Sequence, residues 1–156
     1  MIRAIGRMVP LCFAFSLGVA AQVADLSGTW QLNVERSRWG KARKPSSAAL
    51  TIEHRDPALK YYGMIVDDSG DVGRPFSFEG AIDGKEYPSS RSYGQGKITF
   101  AWQGRTTVVS DFKSDDGLFT ETARNTLSGD GKTLTRRIRV KGPNTDLSWT
   151  EIYEKK

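Results

Sequence analysis

The sequence is poor in the residues that cross-link small domains or bind metals. It holds one cysteine, Cys12, and one histidine, His54. A single cysteine cannot close an internal disulfide, and a lone histidine cannot supply the paired ligands of zinc sites. Stability must therefore come from burial of apolar surface. The sequence predicts no metal, no cofactor and no catalytic residue.

Long hydrophobic runs are also scarce. Met8–Val19 is the one apolar run, and it is short for a membrane span. Arg3 and Arg7 precede it, and Val19-Ala20-Ala21 follows with small residues at the positions that signal peptidases require. We expect residues 1–21 to be a signal peptide cleaved after Ala21, and residues 22–156 to form a periplasmic or secreted domain. An uncleaved membrane anchor is the alternative.

No segment repeats apolar residues at the helical period over three turns. Short alternating runs are instead separated by turn sequences such as Asp83-Gly84, Asp116-Gly117 and Asp130-Gly131. The sequence predicts nine strands: Thr29–Val34, Ala48–His54, Lys60–Val66, Arg74–Ile82, Lys97–Gln103, Thr106–Lys113, Leu118–Leu127, Thr133–Val140 and Asp146–Glu154.

Each predicted strand has one apolar and one polar face, as Trp30, Leu32 and Val34 show on the first. This pattern is typical of an antiparallel sheet that is dry on one side. A flat sheet of so many strands would leave two exposed edges, and closure removes them. The expected fold class is all-β, an antiparallel up-and-down β-barrel of 8–10 strands. A two-sheet sandwich is the competing architecture.

The two ends of the predicted domain resemble a known superfamily. Gly28-Thr29-Trp30 opens the first strand, a hairpin sequence spans Asp130–Thr135, and Trp149–Lys155 closes the chain. Together they resemble the calycin superfamily, which includes lipocalins and fatty-acid-binding proteins. Leu26–Asn33 is also similar to small exported bacterial lipocalin-like proteins. The resemblance implies a lipocalin-like barrel that holds a small apolar ligand.

Two departures limit what the resemblance implies. Fatty-acid-binding proteins carry two helices after the first strand, and Glu35–Ser47 is too short for both. Their last strand usually has arginine where this chain has Glu151. A clamp for a fatty-acid carboxylate is therefore not carried over.

Several inward-facing residues are candidates for ligand binding, although core packing is the alternative for the aromatic ones. Trp30 is instead expected to plug the closed end of the barrel, because a buried tryptophan fills a large volume. The candidate ligand-binding residues are Phe76, Phe78, Phe100, Trp102, Arg136, Trp149, Glu151 and Tyr153.

The last two strands permit a prediction of register. With residues 141–146 as the turn, Val140 pairs with Leu147, and antiparallel counting then sets Arg136 opposite Glu151. A slip of one residue would turn the apolar side chains outward, so burial should fix this pairing. We expect an inward ion pair, which either orients a polar group of the ligand or only neutralises itself.

Other motifs support no site. His54 is interpreted as an ordinary strand residue. Asp67, Ser69 and Asp71 alternate like calcium ligands, but the glycine and glutamate of such loops are missing, which favours a hairpin tip. Gly94-Gln95-Gly96 is predicted to be a turn.

The charge pattern excludes one class of partner and leaves another open. The net charge of +5 falls to +3 once Arg3 and Arg7 leave, which is too weak for a dedicated nucleic-acid-binding protein. One basic cluster in the longest loop, around Trp39, could contact an anionic surface, or it is a solvated loop at the barrel mouth. It consists of Arg36, Arg38, Lys41, Arg43 and Lys44.

The predicted function is that of an exported lipocalin-like binding protein for a small hydrophobic molecule. One alternative is an interaction module of the envelope with a filled barrel. Another is a calycin-type enzyme, an isomerase or hydrolase, which would need a polar inward cluster near His54. The sequence favours a protein that is not an enzyme. A void of roughly 300 Å³ or more would favour the ligand site over the filled barrel.

Overall fold

The computed structural model describes residues 22–69, 73 and 75–156. The predicted signal peptide and Asp71 lie outside these residues. The described chain forms ten strands: β1 (Gly28–Leu32), β2 (Ser47–Arg55), β3 (Ala58–Val66), β4 (Pro75–Ala81), β5 (Tyr87–Arg91), β6 (Gly94–Trp102), β7 (Thr107–Ser114), β8 (Thr120–Leu127), β9 (Thr133–Gly142) and β10 (Thr145–Lys155).

All ten strands belong to one antiparallel sheet. Its order is β4-β3-β2-β1-β10-β9-β8-β7-β6-β5, so each strand pairs with its neighbours in the chain and β1 also pairs with β10. Within the described residues the ladder is broken only between β4 and β5, which touch without pairing. The sheet is thus a nearly closed up-and-down barrel, as predicted, and the two-sheet sandwich is wrong.

The barrel wall continues past the end of β1. Arg38 pairs with Thr150 on β10 through two backbone hydrogen bonds of 2.8 Å. Residues 33–37 bulge between this bridge and β1, and the hydroxyl of Ser37 accepts a hydrogen bond from the amide of Ile152.

The described part of the chain contains no helix long and apolar enough to cross a membrane.

The sequence prediction missed β5. Its sequence, Tyr87-Pro88-Ser89-Ser90-Arg91, is polar and contains proline, which cannot donate to a ladder and normally marks an edge strand. β5 is such an edge, because it pairs only with β6.

The predicted turn at Gly94–Gly96 is wrong, because β6 begins at Gly94. Gly96 is buried against β7, and an added Cβ there would lie 2.1 Å from the backbone oxygen of Lys113. The glycine therefore marks a close approach of two strands, which a strand-period pattern does not distinguish from a turn.

Buried apolar side chains form the core inside the barrel. Trp30 is fully buried, and its indole nitrogen donates to the backbone oxygen of Leu26 at 3.1 Å. Its strand lies between β2 and β10, where Trp30 is paired with Leu50 and Lys155. The predicted burial of Trp30 is confirmed, whereas its role as a plug of the closed barrel end stays a prediction.

The predicted register of the last hairpin is confirmed. Leu147 pairs with Val140, and Glu151 with Arg136. The turn itself is tighter than predicted, because β9 extends to Gly142 and β10 begins at Thr145. The two-residue connection leaves the antiparallel register as predicted, so the predicted residue pairs are unchanged.

Candidate functional site

A polar network crosses the inner face of β8, β9 and β10. Nη1 of Arg136 donates to Oε2 of Glu151 at 3.0 Å, and its Nε donates to Oδ1 of Asn125 at 2.9 Å. The other oxygen of Glu151 accepts the indole N–H of Trp149 at 2.9 Å. The predicted inward ion pair is thus present, and both charges have further hydrogen bonds.

Burial and neighbouring charges shift the pKa values of Arg136 and Tyr153. Burial lowers the pKa of Arg136, but Glu151 and, to a smaller extent, Tyr153, Tyr61 and Glu121 together outweigh it and raise the pKa. Burial raises the pKa of the Tyr153 phenol, and Glu151 raises it further. Arg136 therefore stays charged, and Tyr153 stays a neutral phenol inside the barrel.

The raised pKa of Tyr153 predicts a loss of stability at alkaline pH. The unfolded chain releases this proton above its ordinary pKa of about 10, whereas the folded protein keeps it. The free energy of unfolding should thus fall as pH rises above that value, by up to about 1.4 kcal/mol per pH unit for this one group. Tyr153→Phe should remove that slope in urea unfolding across pH 9–11.

Tyr62→Phe is the matched control, because its phenol is exposed on the outer face. Equal alkaline slopes for the wild type and Tyr153→Phe would contradict the assignment.

A second inward network involves residues that the sequence analysis missed. Nε of Arg91 on β5 lies 3.5 Å from Oε1 of Glu121 on β8, and the phenol of Tyr93 donates to the other oxygen of that carboxylate. Glu121 lies on the same face of β8 as Ala123 and Leu127, so the alternation of the strand was sufficient to predict that its side chain faces inward. Arg91 could not be placed, because its strand was not predicted.

An aromatic cluster lines the wall at β3, β4 and β6. The rings of Phe78 and Phe100 have centroids 4.7 Å apart, and Tyr61 stacks on Phe78 at 5.4 Å. Phe76 lies 6.2 Å from Tyr61 and packs over Gly63, where a Cβ would lie 2.3 Å from its ring. The structure thus brings together three of the predicted aromatic residues, with Tyr61 added.

The gap between β4 and β5 lies beside this cluster, whose Phe78 and Phe100 rings are buried. Phe78 and Tyr87 meet edge to face at 5.8 Å and close one end of the gap. Beside them lies an open cleft of about 580 Å³. Its walls include inward residues, such as Tyr61, Phe78 and Ser89, and outward residues, such as Ser77 and Ser90. The cleft therefore lies in the gap of the barrel wall and is bordered by residues of both faces.

Two predicted residues lie away from the aromatic cluster. Trp102 donates its indole N–H to Asp56 at 2.8 Å and lies 5.7 Å from the His54 ring. Trp149 packs instead with Tyr93 against the smaller apolar cluster of β8 and β9. The eight predicted residues thus fall into three groups. They are the aromatic cluster with Phe76, Phe78 and Phe100, the polar network with Arg136, Trp149, Glu151 and Tyr153, and Trp102 beside His54.

His54 belongs to the group at the end of β2. Its side chain is 3 % exposed, and its two nitrogens lie 3.7 Å from carboxylate oxygens of Asp25 and Asp56. Its Nδ1 accepts a long bond, 3.4 Å, from the backbone amide of Leu26. The histidine thus holds the segment before β1 against the barrel end.

The basic loop is largely neutralised by its own surroundings. Arg36 pairs with Glu154 at 2.7 Å, Lys44 pairs with Glu35 at 3.1 Å, and Arg43 pairs with Asp68. Among the described residues, Arg38 and Lys41 have no acidic partner within 4.0 Å. Contact of this loop with an anionic surface stays a prediction.

The fold is a nearly closed up-and-down barrel of ten antiparallel strands. Among solved structures, the chain is similar to a Schistosoma mansoni fatty acid binding protein in complex with arachidonic acid, with a TM-score of 0.59 and 10% identity over 87% of this chain and 99% of that one. It is also similar to a zebrafish ileal bile acid-binding protein complexed with cholic acid, with a TM-score of 0.55 and 11% identity over 84% and 98% of the two chains.

At these identities the likeness shows the fold, which is the barrel that the sequence predicted. No protein-family model matches the sequence, and no curated protein matches it.

Proposed function

We propose that the protein binds a small hydrophobic molecule inside the barrel, through the cleft between β4 and β5. The observation that carries the proposal is the aromatic cluster of Tyr61, Phe76, Phe78 and Phe100 inside the barrel, of which Tyr61 and Phe78 line this cleft. Ligand sites usually combine apolar side chains with a few polar groups. In this cleft Tyr61, Phe78 and Pro88 supply apolar surface among mainly polar lining residues. The solved neighbours with this fold hold arachidonic acid and cholic acid, which supports the same class of ligand.

The ligand is proposed to be neutral at its polar end. Each cation of the two inward networks pairs with a carboxylate, Arg136 with Glu151 and Arg91 with Glu121. Neither arginine is thus free to clamp a ligand carboxylate, and an acidic ligand would meet two buried anions. Phe76, Phe78 and Phe100 are proposed to contact the apolar part. Arg136, Glu151 and Tyr153 would face its polar end.

Binding can be tested with a neutral fluorescent probe and a pair of competitors that differ only in charge. Nile red should bind saturably with micromolar or better affinity, and methyl oleate should displace it at least as well as oleate does. Ser89→Trp should weaken binding, since Ser89 lines the inner side of the cleft. Ala101→Trp is the control, because Ala101 is exposed on β6.

The outcomes separate the class of ligand from its charge. No saturable response to Nile red would contradict hydrophobic binding. Tighter binding of oleate than of methyl oleate would contradict only the neutral polar end.

We also propose that the protein acts after export, with residues 1–21 removed. The supporting features are Arg3 and Arg7, the apolar run Met8–Val19 and the small residues before Gln22. Intact mass of the protein from the host envelope should match a chain that begins at Gln22. Recovery from the cytoplasm with residues 1–21 attached would contradict export.

A further inference from the structure

The outer face of β8, β9 and β10 carries a row of arginines in register. Arg124 is paired with Arg137, Arg137 with Thr150, and Thr150 with Arg38. Neighbouring strands lie about 4.8 Å apart, so the row spans roughly 15 Å. Arg139 lies on the same face, two residues beyond Arg137 on β9.

This surface forms a shallow, open groove. The row and the residues beside it line a cleft of about 470 Å³, which we call the arginine groove. The backbone turn at Gly40 forms one side, where it approaches the backbone oxygen of Ser148. No acidic residue lines the groove, whose outward-facing polar side chains besides the arginines are Thr122, Ser148 and Thr150.

Most of the positive charge in the groove is uncompensated. Arg139 binds Asp146 with two hydrogen bonds of 3.0 and 2.8 Å. Arg124 donates to the neutral amide of Gln103. Among the described residues, no carboxylate lies within 4.0 Å of Arg38, Arg124 or Arg137.

Stability alone does not favour this arrangement. Like charges directly opposite each other on neighbouring strands destabilise a sheet, and Arg124 and Arg137 are such a pair. An anion bound between them would reverse the sign of the interaction. The opposed arginines are therefore better explained by binding than by folding.

We propose that the arginine groove binds a small anion that carries two or more phosphoryl groups. A guanidinium group matches a phosphoryl group with two parallel hydrogen bonds, and several such groups spread over the row suit several phosphoryl groups. The hydroxyls of Thr122, Ser148 and Thr150 line the same groove and supply further donors. The volume is that of a small-molecule site, and the turn at Gly40 on one side of the groove favours a compact ligand over a flat bilayer.

This site is independent of the proposed hydrophobic site. The arginine groove lies on the outer face of β8–β10, whereas the aromatic cluster lies inside β3, β4 and β6. A variant of the groove should therefore leave Nile red binding unchanged, and failure of either site leaves the other standing.

Calorimetric titration at low salt with orthophosphate, pyrophosphate and tripolyphosphate tests the proposal. Tripolyphosphate should bind at least about tenfold more tightly than orthophosphate, since it engages more than one arginine. Arg137→Gln should weaken tripolyphosphate by about tenfold, the usual effect of losing a charge-assisted hydrogen bond. Arg55→Gln removes the same charge from an exposed position at the end of β2 and should change the affinity less than about twofold.

Three results would overturn the proposal. Orthophosphate and tripolyphosphate could bind equally, or Arg137→Gln and Arg55→Gln could weaken binding equally, which would indicate only diffuse attraction. Anionic phosphatidylglycerol vesicles or a single-stranded oligonucleotide could bind more tightly than tripolyphosphate, which would make the groove part of an extended contact. The urea midpoint of Arg137→Gln, expected to equal or exceed that of the wild type, shows that the variant is folded.

Discussion

Replacing Trp30 by alanine should lower the free energy of unfolding by about 3–5 kcal/mol, the usual range for truncation of a buried aromatic residue. The ring is fully buried where β1 pairs with β2 and β10. Its truncation leaves a cavity and also removes the hydrogen bond to the backbone oxygen of Leu26. Because domains of this kind are stable by only about 5–15 kcal/mol, this loss would be a large part of the whole.

Urea unfolding measures the effect, and Trp39→Ala provides the comparison. Trp39 is only partly buried in the loop after β1, so its truncation should cost less than half as much. An unchanged urea midpoint for Trp30→Ala would show that the ring is not part of the core.

The sequence predicts the barrel because alternation and turn chemistry act together over most of its length. β9 and β10 show this best. Each has an apolar face at a period of two, and the connection between them is short, so one pairing buries both faces. The Arg136–Glu151 pair follows from that count alone, although both residues are polar on an otherwise apolar face.

The candidate site is less predictable because it depends on a strand that lacks the apolar alternation seen in the others. β5 is an edge strand without apolar alternation, so neither Arg91 nor the gap beside β4 is visible in the sequence. The arginine groove depends on contacts between segments far apart in the chain, since Arg38, in the loop after β1, pairs with Thr150 on β10. The alternation within one strand does not indicate which outward-facing residues of distant segments will lie beside it.

Removing one partner of the Arg136–Glu151 pair should destabilise the protein strongly. The two side chains are 22% and 11% exposed, so each remaining charge would be left in a site poor in water. Loss of one partner of a buried pair usually costs about 3–5 kcal/mol, and the residual exposure of Arg136 places Arg136→Met near the lower end. Glu151→Met should cost a similar amount, because it also leaves the indole N–H of Trp149 without its acceptor.

The double replacement Arg136→Met/Glu151→Met should cost less than the sum of the two single changes, by about 2 kcal/mol, because no unpaired charge remains. Arg139 and Asp146 form a matched pair on the outer face of the same two strands, with exposed fractions of 50% and 58%. Its coupling energy should stay below about 1 kcal/mol, as for other exposed ion pairs. Urea unfolding of both cycles measures the two coupling energies. Equal coupling energies would show that the inward position does not strengthen the Arg136–Glu151 pair. The proposal that this pair orients a ligand would then lose its physical basis.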